Sequence, residues 1–305
     1  MMKVIFFGLG SIGQKHYRNL QLICKEKGIP LEVSAYRSRK AEHETPSDIQ
    51  MIYETSAIAD DYDVAFITNP TALHLETLHM IKNKAKYFFV EKPIFEKAYD
   101  INAFIENKEA YYIAAPLRYK GIMLELKKLL VNETVYNGRV ICSTYLPDWR
   151  QDDYTKSYSA DPNLGGGIEL DCIHELDYVV DLFDFPIESK AMYGKKSQLD
   201  IQSNDTALYL LEYADKFIEV HLDYYGQVPQ RKIEIITEND LITCDFLKNT
   251  LTSNKLGMIK EISEEPNQMY LAELTYFIEQ VLTNKENNNN IDHANRVLKI
   301  AKETK

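Results

Sequence analysis

Three short segments of the 305-residue chain combine residue types and spacings that could do chemistry. The first is Gly8-x-Gly10-x-x-Gly13. It directly follows KVIFF, a β-rich apolar run at residues 3–7, and directly precedes a stretch of helical periodicity. In that setting the first glycine permits a tight turn and the second lets backbone approach a pyrophosphate. The third lets helix pack on strand, and a helix N-terminus supplies N–H groups with a favourable dipole. Gly8, Gly10, Ser11, Ile12 and Gly13 are therefore the expected dinucleotide contacts. The strand LEVSAY, residues 31–36, ends in Tyr36-Arg37-Ser38-Arg39 and carries no Asp or Glu to grip an adenosine ribose. Arg37, Ser38 and Arg39 suit a 2′-phosphate, which favours NADP over NAD. The competing reading is an ordinary solvated loop.

Lys92 is the second element. It follows the strand KYFFV at 86–90, and Pro93 stiffens the chain after it. Ligands of open α/β sheets bind at the carboxyl ends of strands, where a partly desolvated amine serves as a proton shuttle. By itself, a surface lysine beside Glu91 is the simpler reading. The third element is Gly165-Gly166-Gly167-Ile-Glu-Leu-Asp171-Cys-Ile-His174. Three glycines before a helix allow close backbone approach. Asp171 and His174, three apart on a helix, share a face. The imidazole can pass a proton at physiological pH, and the carboxylate can orient it. Against this stands a satisfied core histidine on an amphipathic helix. Glu169, Asp177, Asp181 and Asp184 read as a solvated face. No GxSxG, HExxH or Walker A pattern occurs, and no metal site is expected.

The elements that must position these residues form two textures. At 45% hydrophobic and 27% charged the chain can bury a core, and its length suggests two domains. The formal charge of −11, without a long basic block, makes a poor nucleic-acid binder. No apolar run approaches the ~18 residues of a membrane span. The four cysteines form no Cys-x-x-Cys pair, which fits a reducing cytoplasm better than a zinc or disulfide framework. Up to about Tyr119 strands alternate with helices: a helix from Ser11 to Lys27 capped at Gly28, the strand DVAFIT at 63–68, and a helix from Thr71 to Lys82. KYFFV, a short helix around 98–107, and the strand YYIAA complete a parallel sheet with helices on both faces.

Beyond Tyr119, a helix from Ile122 to Val131, the strand RVICSTYL and a polar segment lead to a helix from Ile168 to Phe183. Four strand-like runs, TALYLLEY, KFIEVHLDYY, RKIEIIT and LITCDFL, then follow without helices between them, and neighbours should pair as antiparallel hairpins. A helical run at 269–282 and a terminal helix close the chain. The expected architecture is an α/β Rossmann domain at 1–119 and an α+β domain at 120–290 with an open, mostly antiparallel sheet. A C-terminal helix at 291–305 would pack back toward the first domain.

Taken in one order, GLGSIGQKHYRNL, TNPTALHLE, FVEKP, LRY and GGGIELDCIHELDY resemble the Gfo/Idh/MocA family of oxidoreductases over essentially the whole chain. The resemblance implies NAD(P)-dependent hydride transfer between the nicotinamide and a secondary alcohol or ketone carbon of a sugar or sugar derivative. It places the cofactor along Gly8 to Gly13, Asn69, Pro70, Thr71, His74, Glu91 and Lys92, with Trp149 and Arg150 reaching over from the second domain. Lys92, Asp171 and His174 would be catalytic, and Lys92–Pro93 often cis. Arg118, Tyr154 and Tyr158 would join Lys92, Asp171 and His174 around the substrate. YLPDWRQDDYTKSYSA followed by LGGG resembles a subgroup of bacterial sialic-acid-like and surface-glycan sugar pathways. The D-x-x-H spacing is one residue shorter than the commoner family spacing, so the division of labour between Asp171 and His174 stays open. A homo-oligomer formed through the second-domain sheet, in the cytoplasm, is the implied state. The alternatives are a dinucleotide-binding sensor or scaffold without turnover, and redox-neutral epimerisation or elimination on a tightly held cofactor.

Overall fold

A computed structural model describes residues 1–38, 46–283, 285 and 287–302, so Arg39 lies outside the described residues. The chain divides into two compact units, Met1–Ala114 with Tyr270–Asn295, and Ala115–Met269 with the residues from Arg296 on.

In the first unit, β1 (Met2–Phe7) runs into α1 (Ser11–Glu26), and β2 (Leu31–Tyr36) and β3 (Ile49–Ile52) follow. Then come β4 (Tyr62–Ile67), α2 (His74–Ile81), β5 (Ala85–Val90) and β6 (Tyr111–Ile113). These strands form a six-stranded sheet in the order β3-β2-β1-β4-β5-β6, parallel throughout. Its order reverses beside β1, so the crevice beyond the carboxyl ends of β1 and β4 is the expected ligand position. Phe6, Phe66, Phe89 and Tyr112 are register partners across four strands. Phe6 stacks on Phe66 at 4.5 Å and Phe66 on Phe89 at 5.2 Å. Aromatic pairs of this kind add to simple area burial and fix the strands against one another. Gly28 ends the first helix with φ +65°, as its position after α1 suggested. The helix expected around 98–107 is absent; only short 3-10 turns occur, at Ile101–Ala103 and Lys108–Ala110. The Asp100 side chain accepts from the Asn102 N–H, a local bond that competes with helix propagation.

The second unit contains α3 (Gly121–Leu130), β7 (Val135–Tyr145), α4 (Ile168–Asp171) and α5 (His174–Phe183). Seven further strands complete its sheet. They are β8 (Glu188–Gly194), β9 (Thr206–Glu212), β10 (Phe217–Asp223), β11 (Tyr225–Thr237), β12 (Leu241–Asp245), β13 (Thr250–Ser253) and β14 (Gly257–Glu261). The eight strands run in the order β14-β13-β12-β11-β7-β10-β9-β8. All neighbours are antiparallel except β7 and β10. The hairpins expected at Ala214-Asp215 and Asn239-Asp240 form, but β10 and β11 do not pair. Only Tyr224 separates those two strands, too short a link for a hairpin, and the chain steps over the end of β7 there. The helix expected from Ile168 to Phe183 is broken: Cys172 ends α4 at φ −101°, ψ +30°, and α5 restarts at His174.

The last helices are α6 (Gln268–Thr283) and α7 (Ile291–Lys302). Residues 270–290, read from sequence as part of the second domain, group with the first unit. Phe277 of α6 packs edge-on against Phe66 and Phe89, so helical periodicity revealed the apolar face but not the sheet it covers. Early in α7, Asn295 bonds the backbone of Tyr99 in the first unit. Its last turn accepts hydrogen bonds from Tyr193 and Tyr209 in the second.

Candidate active site

Each glycine of the first-unit loop has its own reason to be one. Gly8 has φ +101°, and a Cβ there would lie 2.7 Å from the Asn69 nitrogen. A Cβ on Gly13 would meet the Gly8 carbonyl oxygen at 2.3 Å. Gly10 differs: nothing lies within 4 Å of its Cβ position, and it opens α1 with no side-chain cap on the N–H groups. An uncapped helix start with an empty approach to its backbone is what a pyrophosphate needs, so the residues present fit a dinucleotide. At the end of β2, Arg37 donates from Nη2 to the Leu9 carbonyl at 3.4 Å, which lays its guanidinium beside the loop. Ser38 is exposed.

Asn69, Pro70 and Thr71 follow β4. The Asn69 amide donates to Thr77 Oγ1 at 2.8 Å, while its buried Oδ1 has no protein partner. That orphaned acceptor is a second feature that fits a bound group. His74 is fully buried, with Nδ1 3.0 Å from the Ile94 carbonyl and Nε2 3.0 Å from that of Asn69. Burial holds its pKa down, and the ring stands behind Asn69 with a backbone carbonyl facing each nitrogen, only one of which a neutral imidazole can donate to. Glu91 directly follows β5, with Oε1 2.6 Å from His16 Nε2. Burial would push its carboxyl up, but the His16 hydrogen bond and charge, with Lys92 adjacent, hold it below the usual range. His16 was not identified from the sequence, although its place three residues after Gly13 carries it to Glu91. Lys92 is half-buried beyond the carboxyl end of β5, its N–H directed at Glu91 Oε2, and the Lys92–Pro93 bond is cis.

In the second unit Asp171 is buried at the end of α4 and accepts a 2.5 Å hydrogen bond from the Tyr224 phenol. The Tyr158 phenol lies near the same carboxylate; burial and the Asp171 charge push its pKa well up. The Arg150 guanidinium sits 5.0 Å from the Tyr158 ring centre. Trp149 packs edge-on to Tyr224 at 5.4 Å and donates from its indole to Thr144. Trp149, Arg150, Tyr158 and Asp171 thus converge, joined by Tyr224, which no sequence signal marked. His174 opens α5, half-buried.

Two further substrate candidates have protein partners of their own. Arg118 is 2% exposed and binds Asp177 through Nε and Nη2, both at 2.7 Å, and Asp181 through Nη1. The Tyr154 phenol accepts from the Asp200 backbone. Three of the four acids read as a solvated face are corrected: Asp177 and Asp181 pair with Arg118, while buried Glu169 takes Asn204 and Lys302; Asp184 is exposed, as expected. A buried carboxylate needs such partners, and these lie far away in sequence. Cys142 and Cys172, distant in sequence, come within 3.6 Å beside Glu175, whose oxygens are already held by Arg231. The Cys142 hydrogen bond and burial keep Cys172 protonated.

The description "Oxidoreductase family, NAD-binding Rossmann fold" matches residues 2–112, and "Oxidoreductase family, C-terminal alpha/beta domain" matches residues 138–303. The chain belongs to the Gfo/Idh/MocA family of oxidoreductases. Solved Gfo/Idh/MocA-like structures share its fold. A levoglucosan dehydrogenase in complex with NADH and levoglucosan superposes with TM-score 0.81 at 14% identity, over 98% of this chain and 95% of its own. The myo-inositol 2-dehydrogenase from Lactobacillus plantarum gives 0.75 at 20%, over 99% and 95%. UDP-N-acetylglucosamine 3-dehydrogenase from Acidithiobacillus ferrooxidans gives 0.75 at 16%, over 98% and 95%. No curated protein matches the chain. As a family member the chain is an NAD(P)-dependent oxidoreductase, and among its described residues no helix is long and apolar enough to cross a membrane.

Proposed function

We propose that the protein oxidises a secondary alcohol, or reduces the matching ketone, on a sugar or sugar derivative. The observation that carries this is the uncapped start of α1 behind Gly10, open to an anion, beside the orphaned Asn69 acceptor. Sugars as the substrate class rest on the fold relatives, whose names specify levoglucosan, myo-inositol and a nucleotide-linked aminosugar. When bound, the nicotinamide supplies at C4 the acceptor or donor of a hydride. The chain's residues supply the rest. As the carbinol C–H leaves with its electron pair, the hydroxyl proton passes to Lys92 or His174, and Asp171 holds one of them in position or in the right protonation state. Glu91, fixed by His16, steadies the backbone on which Lys92 sits.

The preferred coenzyme in this reading is NADP(H), because Arg37 lies beside the loop and no acid ends β2. Self-association through the outer face of the eight-stranded sheet and a cytoplasmic location belong to the same reading. Met192, Leu208 and Leu210 stand together on that face, exposed to solvent.

The test is titration of the purified protein with NADPH and NADH, followed by a panel of polyols, free sugars, anhydrosugars and nucleotide sugars with absorbance read at the reduced nicotinamide. Tighter NADPH and turnover of at least one panel member are expected. Tighter NADH overturns the coenzyme preference, and binding without any turnover favours a sensor or scaffold.

A further inference from the structure

Tyr224 occupies an unusual place in the chain. It is the single residue between β10 and β11, where the backbone crosses the end of β7. Both of its peptide groups are tied down: its N–H donates to the Asp205 carbonyl at 2.9 Å, and its carbonyl accepts from the Leu146 N–H at 2.9 Å. Asp205 is itself fixed, accepting from the backbone of Lys196 and Ser197 and from the Ser197 hydroxyl. The ring is 0% exposed and packs edge-on against Trp149. A phenol oxygen on so constrained a residue has one position, and that position is 2.5 Å from Asp171 Oδ2.

Tyr158 stands near the same carboxylate in very different surroundings. It is 39% exposed, sits in a run of short 3-10 turns, and has the Arg150 guanidinium over its ring. Asp171 therefore has one rigid, buried donor in Tyr224, while the neighbouring Tyr158 side chain extends to the surface. Asp171 is the last residue of α4, just before the break at Cys172, so the helix itself supports it poorly.

Resting on the dehydrogenase reading above, we propose that Tyr224 is the positioning residue of Asp171, and that Tyr158, which extends to the surface near it, contacts the sugar. The two phenols then divide the labour. The buried one sets the geometry of the acid in the transition state, and the exposed one contributes to ground-state binding. A group whose hydrogen bond matters only for transition-state geometry changes kcat, whereas one that binds the ground state changes KM.

The experiment compares Tyr224→Phe, Tyr158→Phe and Asp171→Asn with the unsubstituted enzyme. The assay uses NADP+ or NAD+ with levoglucosan, myo-inositol, UDP-N-acetylglucosamine and free hexoses as probes. Fluorescence of Trp149, the single tryptophan, reports folding and coenzyme binding. Tyr224→Phe should lower kcat by about 10- to 100-fold, the scale of one hydrogen bond to a charged group, with KM and coenzyme affinity unchanged. Tyr158→Phe should raise KM instead. 3-Fluorotyrosine at 224 keeps the donor and should restore kcat, which also covers a Phe variant that fails to fold. Unchanged kcat in Tyr224→Phe while Asp171→Asn is inactive overturns the inference alone, as does a failure of fluorotyrosine to restore turnover. An active Asp171→Asn, or an unsubstituted enzyme that turns over no probe, overturns the underlying reading and the inference with it.

Discussion

The guanidinium of Arg118 clasps the carboxylate of Asp177 through two parallel hydrogen bonds of 2.7 Å, almost wholly out of water. Arg118 lies at the entrance of the second unit and Asp177 on α5, so the pair ties the first turn of that unit to the helix that begins with His174. Removing one partner from such a pair leaves a buried charge without compensation. Arg118→Ala should therefore cost ~3–5 kcal/mol in urea unfolding. The folded fraction should keep its substrate KM, because the guanidinium is buried and already bound to Asp177 and Asp181. A raised KM in the folded variant would return Arg118 to the substrate contacts.

The His16–Glu91 pair gives stability a definite pH dependence. Glu91 titrates below its ordinary value in the folded protein because His16 and Lys92 favour its charged form over the opposing effect of burial. A carboxyl with a depressed folded-state pKa stabilises fully above its unfolded pKa, about 4.3, and loses that contribution as pH falls through the folded value. Glu91→Gln should thus be less stable than the natural chain at pH 7, with the difference shrinking toward pH 3. Urea melts at the two pH values check this, and a difference that grows on acidification contradicts it.

Lys92→Met should bind coenzyme with unchanged affinity and turn over at least ~100-fold more slowly, the lower range for losing general acid–base help. Stopped-flow absorbance of the reduced nicotinamide separates the two effects. Undiminished turnover would remove Lys92 from the proton path.

The motifs that were legible are those whose physics is local. Gly8 needs a positive φ, Gly28 needs one after a helix, and alternating strands and helices dictate a parallel sheet; each is written within a few residues. Relations across the fold were not. Continuous periodicity from Ile168 to Phe183 hid the break at Cys172. Asp177 and Glu169 look like surface acids until Arg118, Asn204 and Lys302 arrive from distant segments. The strand at Ile49–Ile52 is short and set in polar sequence, and Glu188–Gly194 at the sheet edge lacks a clean alternation. Tyr224 reaches Asp171 across 53 positions because β10 and β11 straddle β7, a sheet order that no window of sequence contains.

The glycines of the first loop should separate folding from binding. A methyl group on Gly13 would collide with the backbone oxygen of Gly8, which cannot retreat without moving the end of β1, and would crowd the Thr68 hydroxyl. Gly13→Ala should therefore fold poorly, whatever the ligand. Gly10 has φ −70° and empty space where a Cβ would go, so Gly10→Ala has no steric reason to unfold. Its thermal midpoint should match that of the natural chain. The new methyl would project into the approach to the α1 N–H groups and should weaken coenzyme binding by about tenfold, the loss of roughly one hydrogen bond to a charged phosphate. Parallel melting curves and NADPH titrations distinguish the cases. Full affinity in Gly10→Ala would mean that the pyrophosphate does not settle on this helix, and the coenzyme position would have to be sought elsewhere.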